Sequence, residues 1–167
     1  MRGAVFLPMI AASLALSACT LPLNHRAAQN PLTLAADRDT PLLALLEYRA
    51  ERELADNSVK PRTTCLAQGR DGDLRPLPAG AERRLILRLE SVAPFDRCQL
   101  SDETHVDAIT GKAAIDVTAW DLTCEGDTCT ASAGIQRGPR LISGSDYDLH
   151  FDGYWRITLR DLGIVVT

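Results

Sequence analysis

Lysine is almost missing from this chain. Lys60 and Lys112 are the only two in 167 residues, and arginine carries nearly all the positive charge. The formal net charge is −4. Nucleic-acid phosphates are held by clustered Lys and Arg, so a mildly acidic chain of this kind excludes nucleic acid as the expected partner. Long apolar runs are missing too. The one that begins at Ala4 and ends before Cys19 is shorter than the ~20 residues a spanning helix needs. No Gly-x-Ser-x-Gly elbow presents a nucleophilic serine, and no glycine-rich loop is built to cradle phosphate.

What is present begins with an export signal. Residues 1–15 carry Arg2, no acid and a short apolar run, and Leu16-Ser17-Ala18-Cys19 follows. Small residues directly before a cysteine resemble the lipobox of bacterial lipoproteins. That resemblance implies cleavage before Cys19 and acylation of its thiol and new amine, making Cys19 the expected lipidation site. Thr20 follows it. In Gram-negative lipoproteins a residue other than Asp there permits transfer to the outer membrane. The expected location is therefore the cell envelope, lipid-anchored in the outer membrane and facing the periplasm. Loss of residues 1–18, with Arg2, moves the net charge from −4 to −5. Residues 19–38 hold Pro22, Asn24, Gln29, Asn30 and Pro31 without a sustained period, which reads as a flexible tether with a solvated His25. Residues 39–167 have the length of one domain with a real core.

With Cys19 assigned to lipid, Cys65, Cys98, Cys124 and Cys129 remain, an even number in an oxidising compartment. Glu125-Gly126-Asp127-Thr128 is turn-forming, so Cys124 and Cys129 can bridge a tight hairpin, and Cys65 with Cys98 follows by elimination. A zinc site calls for closely spaced ligand pairs, and neither Cys65 nor Cys98 has a second Cys or a His within four residues. No metal and no cofactor are expected.

Thr40-Pro41 opens the first expected helix of the domain, with Pro41 suited to the first helical position. Leu42, Leu43, Leu46, Ala50 and Leu54 make one apolar stripe, and Glu47, Arg49, Glu51, Arg52 and Glu53 take the other side. The helix should fade near Asp56-Asn57, before Lys60-Pro61. Residues 63–67 are a short β-prone run closed by Gly69 and Asp71-Gly72. Residues 81–90 fit either a helix or a strand, and their helix-forming composition favours the helix. From Val106 the chain reads as antiparallel sheet. Strands are expected over 106–109, 113–122 and 130–136, with breaks at Gly138-Pro139 and Ser143-Gly144-Ser145.

The last hairpin specifies its own register. Tyr147, Leu149 and Phe151 alternate with polar residues, as do Trp155, Ile157 and Leu159. A two-residue turn at Asp152-Gly153 would set Leu149 against Arg156, apolar against polar. A three-residue loop, Asp152-Gly153-Tyr154, pairs Phe151 with Trp155, Leu149 with Ile157 and Tyr147 with Leu159. Ile164-Val165-Val166 reads as a final strand or its extension.

Few residues suggest chemistry. Asp146, Asp148, His150 and Asp152 share one strand face at a spacing that could hold a divalent metal. The same register lays Arg160 opposite Asp146 and Arg156 opposite His150, so a cross-strand ion-paired face is the expected reading. Ser101, Asp102, Glu103 and His105 imitate a triad, but triad members converge from distant positions, and the cluster reads as a polar loop. Asp37, Asp39, Asp71 and Asp73 fall in turns or tether. Trp120 and Trp155 could line an apolar pocket, though buried aromatics usually serve packing.

Helices first and strands after is the α+β pattern: an N-terminal helix packed on a curved antiparallel sheet, stapled by two disulfides. The ending Tyr154-Trp155-Arg156-Ile157-Thr158-Leu159 resembles the closing strand of NTF2-like and cystatin-like domains, whose long helix packs in a bent sheet. Those families vary their functional residues, so none is carried over. The expected function is a non-enzymatic, membrane-anchored envelope lipoprotein that binds a protein partner or supports an envelope assembly. One alternative is a small apolar ligand, such as a lipid, held in an NTF2-like hollow near Trp120 or Trp155. The other is a metal-dependent hydrolase using Asp148 and His150.

Overall fold

The computed structural model describes residues 33–56, 62–70, 73–139 and 141–161. The expectations for the leader with Cys19, for His25, for Asp71 and for the strand at residues 164–166 lie outside the described residues. No helix among those described is long and apolar enough to cross a membrane.

Helix α1 spans Pro41–Ala55, with Pro41 in its first turn. Leu43, Leu46 and Ala50 on its stripe are buried, and so are Ala44, Leu45 and Glu47. Strand β1 (Thr63–Gln68) and the two-residue β2 (Arg75–Pro76) come next. Helix α2 (Ala79–Arg88) settles the ambiguous segment: Ala81 and Leu85, four apart, face the core, and Leu87 is 69 % exposed. Then follow β3 (Val92–Ala93), a 3₁₀ turn at Phe95–Arg97, β4 (Cys98–Ser101) and β5 (Thr104–Asp107). The long strands β6 (Ala114–Glu125), β7 (Thr128–Gln136), β8 (Leu141–Phe151) and β9 (Trp155–Asp161) complete the fold.

The main sheet runs β2-β1-β6-β7-β8-β9, with β3 also beside β1, and β4–β5 form a separate hairpin. It is a mixed sheet, which corrects the wholly antiparallel expectation. β1 pairs parallel with both β3 and β6, from Thr63 opposite Ala114 to Gln68 opposite Ala119. A two-residue side-chain period says which face a residue takes but not which way the neighbouring strand runs. The long excursion through α2 and the β4–β5 hairpin brings β6 in alongside β1 in the same direction. The four central residues of β1, Thr64 to Ala67, are all buried, as expected of a strand covered on both faces.

On one face α1 packs its leucines against Leu66, Ile115, Val117, Ala133 and Leu149 in a single core. The opposite face, over β1 and β6, carries Cys65, Ala93, Cys98 and Ala114 beneath the β4–β5 hairpin. The hairpin is tied down by the Cys65–Cys98 disulfide and by His105 N–H to the Arg137 carbonyl at 2.9 Å.

Three local readings change. Residues 33–38, expected in the tether, belong to the packed fold: Leu34–Ala36 form a 3₁₀ turn and Leu34 is buried. The cause is Glu47, expected on the solvent side of α1 but only 2 % exposed. Its Oε2 accepts from Thr33 Oγ1 at 2.6 Å, Leu34 N–H at 2.9 Å and Ala35 N–H at 3.2 Å, and its other oxygen accepts from Arg88. Trp155 adds an indole N–H to the Asp37 carbonyl at 3.0 Å. Second, residues 143–145 continue β8 rather than break it, because Gly144 sits opposite Gly134 and a Cβ at Gly134 would strike the Ser143 carbonyl. Third, a register shift between Asp146 and Tyr147 puts Asp161, not Arg160, opposite Asp146. The rest of the last hairpin holds as read, with Phe151 against Trp155, Leu149 against Ile157, Tyr147 against Leu159, and Gly153 at φ +101°.

Candidate functional site

Among the described residues, the β8–β9 face gathers no open cluster of carboxylates. Asp148 accepts from Arg160, Asp152 from Arg156, and Asp146 from Ser132 Oγ at 2.6 Å. The Arg160 hydrogen bond holds the Asp148 carboxyl below the usual carboxylate range. His150 Nδ1 stands 3.4 Å from Thr128 Oγ1. The imitation triad also separates. Asp102 and Glu103 form the exposed β4–β5 turn at φ 45° and 67°, and His105 turns inward to another partner. Trp155 joins the helix-side core, and Trp120 follows Asp116 and Thr118 along the opposite face. Both expected disulfides are formed, Cys65–Cys98 and Cys124–Cys129.

The structure instead draws attention to the face covered by the β4–β5 hairpin. A recess of about 300 Å³ opens there between the starts of β1, β3 and β6 and the end of β5. Arg62, Thr63, Glu90, Arg97, Asp107 and Lys112 supply its polar lining. Asp107 is its fixed point, 1 % exposed. The carboxylate receives the Arg97 guanidinium, Thr63 Oγ1 at 2.6 Å and the Ile109 N–H at 2.9 Å. These bonds, Arg97 first, hold Asp107 far below the ordinary carboxylate range.

The two remaining cations differ. Arg62 reaches Glu53 at 3.0 Å, yet burial first and the Arg137 guanidinium second pull its pKa down. It remains protonated at neutral pH all the same. Lys112 is exposed and makes no ion pair among the described residues. A concave site whose buried acid is satisfied, with Lys112 and Glu90 both exposed in its lining, can take a carboxylate or another small anionic group on its lysine.

Further along the same face lies a buried polar cluster that sequence reasoning missed. Asp116 is opposite Cys65 on β1 and opposite Gln136 on β7. His105 Nδ1 is 2.7 Å from Asp116 Oδ2, with both side chains buried. His105 Nδ1, Asp116 Oδ1, Thr118 Oγ1, Gln136 Oε1 and Arg137 Nε are buried with no well-formed hydrogen bond among the described residues. Gln136 Nε2 is satisfied by the Gly138 carbonyl at 2.9 Å. An unpaired buried polar group costs roughly 1–3 kcal/mol, so this is an expensive arrangement for a structural sheet. The available signal was Asp116 itself, a lone acid between Ile115 and Val117 in a strand whose neighbours are small or β-branched.

No protein-family model, no curated protein and no solved structure matches the chain.

Proposed function

We propose that this chain is a lipid-anchored envelope protein that works by binding rather than by catalysis, and that it holds a protein partner through an acidic group seated in the recess. The lipobox-like Leu16-Ser17-Ala18-Cys19 supports the anchor and the outer-membrane location. The observation that carries the binding role is the pairing of a rigid floor with an exposed lysine at its rim. Arg97 and Asp107 satisfy one another within a network that fixes the backbone at Ile109, while Lys112 stands exposed at the edge. A carboxylate from a partner would meet Lys112 without breaking the Asp107 network or the Arg62–Glu53 pair.

The test is capture from envelope membranes of the native host by the full lipid-anchored chain, beside its Lys112→Glu variant. Partners retained by the wild type should be lost or weakened about tenfold in the variant, and should elute with moderate salt. An identical set of partners in both, insensitive to salt, would overturn the proposal. A Cys19→Ala chain should move from the membrane to the soluble fraction. If it stays on the membrane, the anchor is wrong.

A further inference from the structure

We infer that Cys65, Cys98 and Asp116 form a site for zinc or a similar thiophilic divalent ion when the Cys65–Cys98 disulfide is reduced. One ligand atom from each, two sulphurs and a carboxylate oxygen, lie within 4.8 Å of one another, and all three residues are buried. They arrive from three elements, β1, the start of β4, and β6, so the ligand spacing that a sequence reader looks for is absent. Cys65 and Asp116 are register partners across the parallel pair, which fixes their side chains on one face.

The cluster carries a second, independent mark. Asp116 Oδ1 is buried with no hydrogen-bond partner among the described residues, while Oδ2 lies 2.7 Å from His105 Nδ1. That leaves one carboxylate oxygen free to coordinate, with an imidazole beside the other where it can orient the ligand. Two thiolates and a carboxylate suit zinc, with one tetrahedral position left for water. Tetrahedral Zn–S bonds of ~2.3 Å would place the sulphurs about 3.8 Å apart. The two Cα atoms are 6.1 Å apart, so side-chain rotation can part the sulphurs with the strands in place.

The chemistry balances. A dithiol reductant passes two electrons and two protons to the S–S bond, giving two thiols and leaving as its own disulfide. The metal then displaces the two thiol protons to solvent and binds the thiolates. The bound ion would tie β1 to β4, as the disulfide had done, and add β6 through Asp116.

The probe is Co²⁺ added to the full chain after reduction by a phosphine, which takes up the oxygen of one water as the disulfide opens. One equivalent should bind with a thiolate-to-cobalt charge-transfer band, Zn²⁺ should displace it, and the oxidised chain should show no band. Cys124→Ser/Cys129→Ser should leave the band intact. Asp116→Asn should weaken Co²⁺ binding at least tenfold. If that variant is misfolded by circular dichroism in its oxidised form, His105→Gln decides instead, with a loss of ~10-fold expected for an orienting partner. Absence of the band from the reduced wild type would overturn the site. Its persistence in Cys65→Ser/Cys98→Ser would do the same.

Discussion

Two buried carboxylates show how much a single side chain decides in this protein. Glu47 lies on a helix but serves the segment before it, collecting the Thr33 hydroxyl, two backbone N–H groups and Arg88. Truncation would leave the Thr33 hydroxyl and the Leu34 N–H without their acceptor and would leave Arg88 with Glu51 alone. Glu47→Ala should therefore cost about 3 kcal/mol in chemical denaturation, far more than a surface Glu→Ala change. Asp107 makes a claim about pH. Its folded pKa is depressed by Arg97 and Thr63, so the stability it contributes is present above the unfolded carboxylate value and lost as pH falls below it. Acid unfolding of the wild type should steepen below pH ~4. Asp107→Asn should be less stable at neutral pH and should lose less on acidification. Equal acid sensitivity in the two proteins would contradict the assignment. Neither residue was legible as special in the sequence. An acid on a helix or beside a turn is usually solvated, and burial is a property of what packs over it.

At the scale of elements, legibility followed the strength of the local pattern. The β8–β9 hairpin could be read to the residue, because a one-residue slip would set apolar side chains against polar ones. The shift at Asp146 escaped because polar residues there have no core face to enforce register. Helix α1 was legible from its stripe and Pro41, and α2 from composition alone. The 143–145 stretch was misread because Gly and Ser normally mark a turn, and only the partner strand reveals that Gly134 needs a small neighbour. Gly134→Val should force β7 and β8 apart and cost roughly 1–3 kcal/mol, read as a lower thermal midpoint. Gly153→Val, in a left-handed conformation with open space around it, should cost only about 1 kcal/mol through backbone strain.

At the scale of the whole molecule, the disulfides do unequal work. Cys65–Cys98 closes a loop with a sequence separation of 33, and Cys124–Cys129 one of 5. In the chain-entropy model the first should contribute on the order of 4 kcal/mol and the second about 2. Removing each pair as Cys→Ala, and comparing denaturant midpoints, should give that order; the reverse would show that the hairpin staple carries the fold. The sequence alone determined the elements whose hydrophobic period is strong, the pairing of the four cysteines and the α+β class, because these follow from local spacing and turn chemistry. Only the tertiary structure decided that β1 and β6 run parallel, that Glu47 is buried, and that Arg62, Arg97, Lys112 and Asp107 surround one recess while Asp116 meets His105 and the Cys65–Cys98 bridge. Those relations join residues far apart in the chain. No local pattern encodes them, since each depends on which strand arrives beside which and on what the β4–β5 hairpin covers.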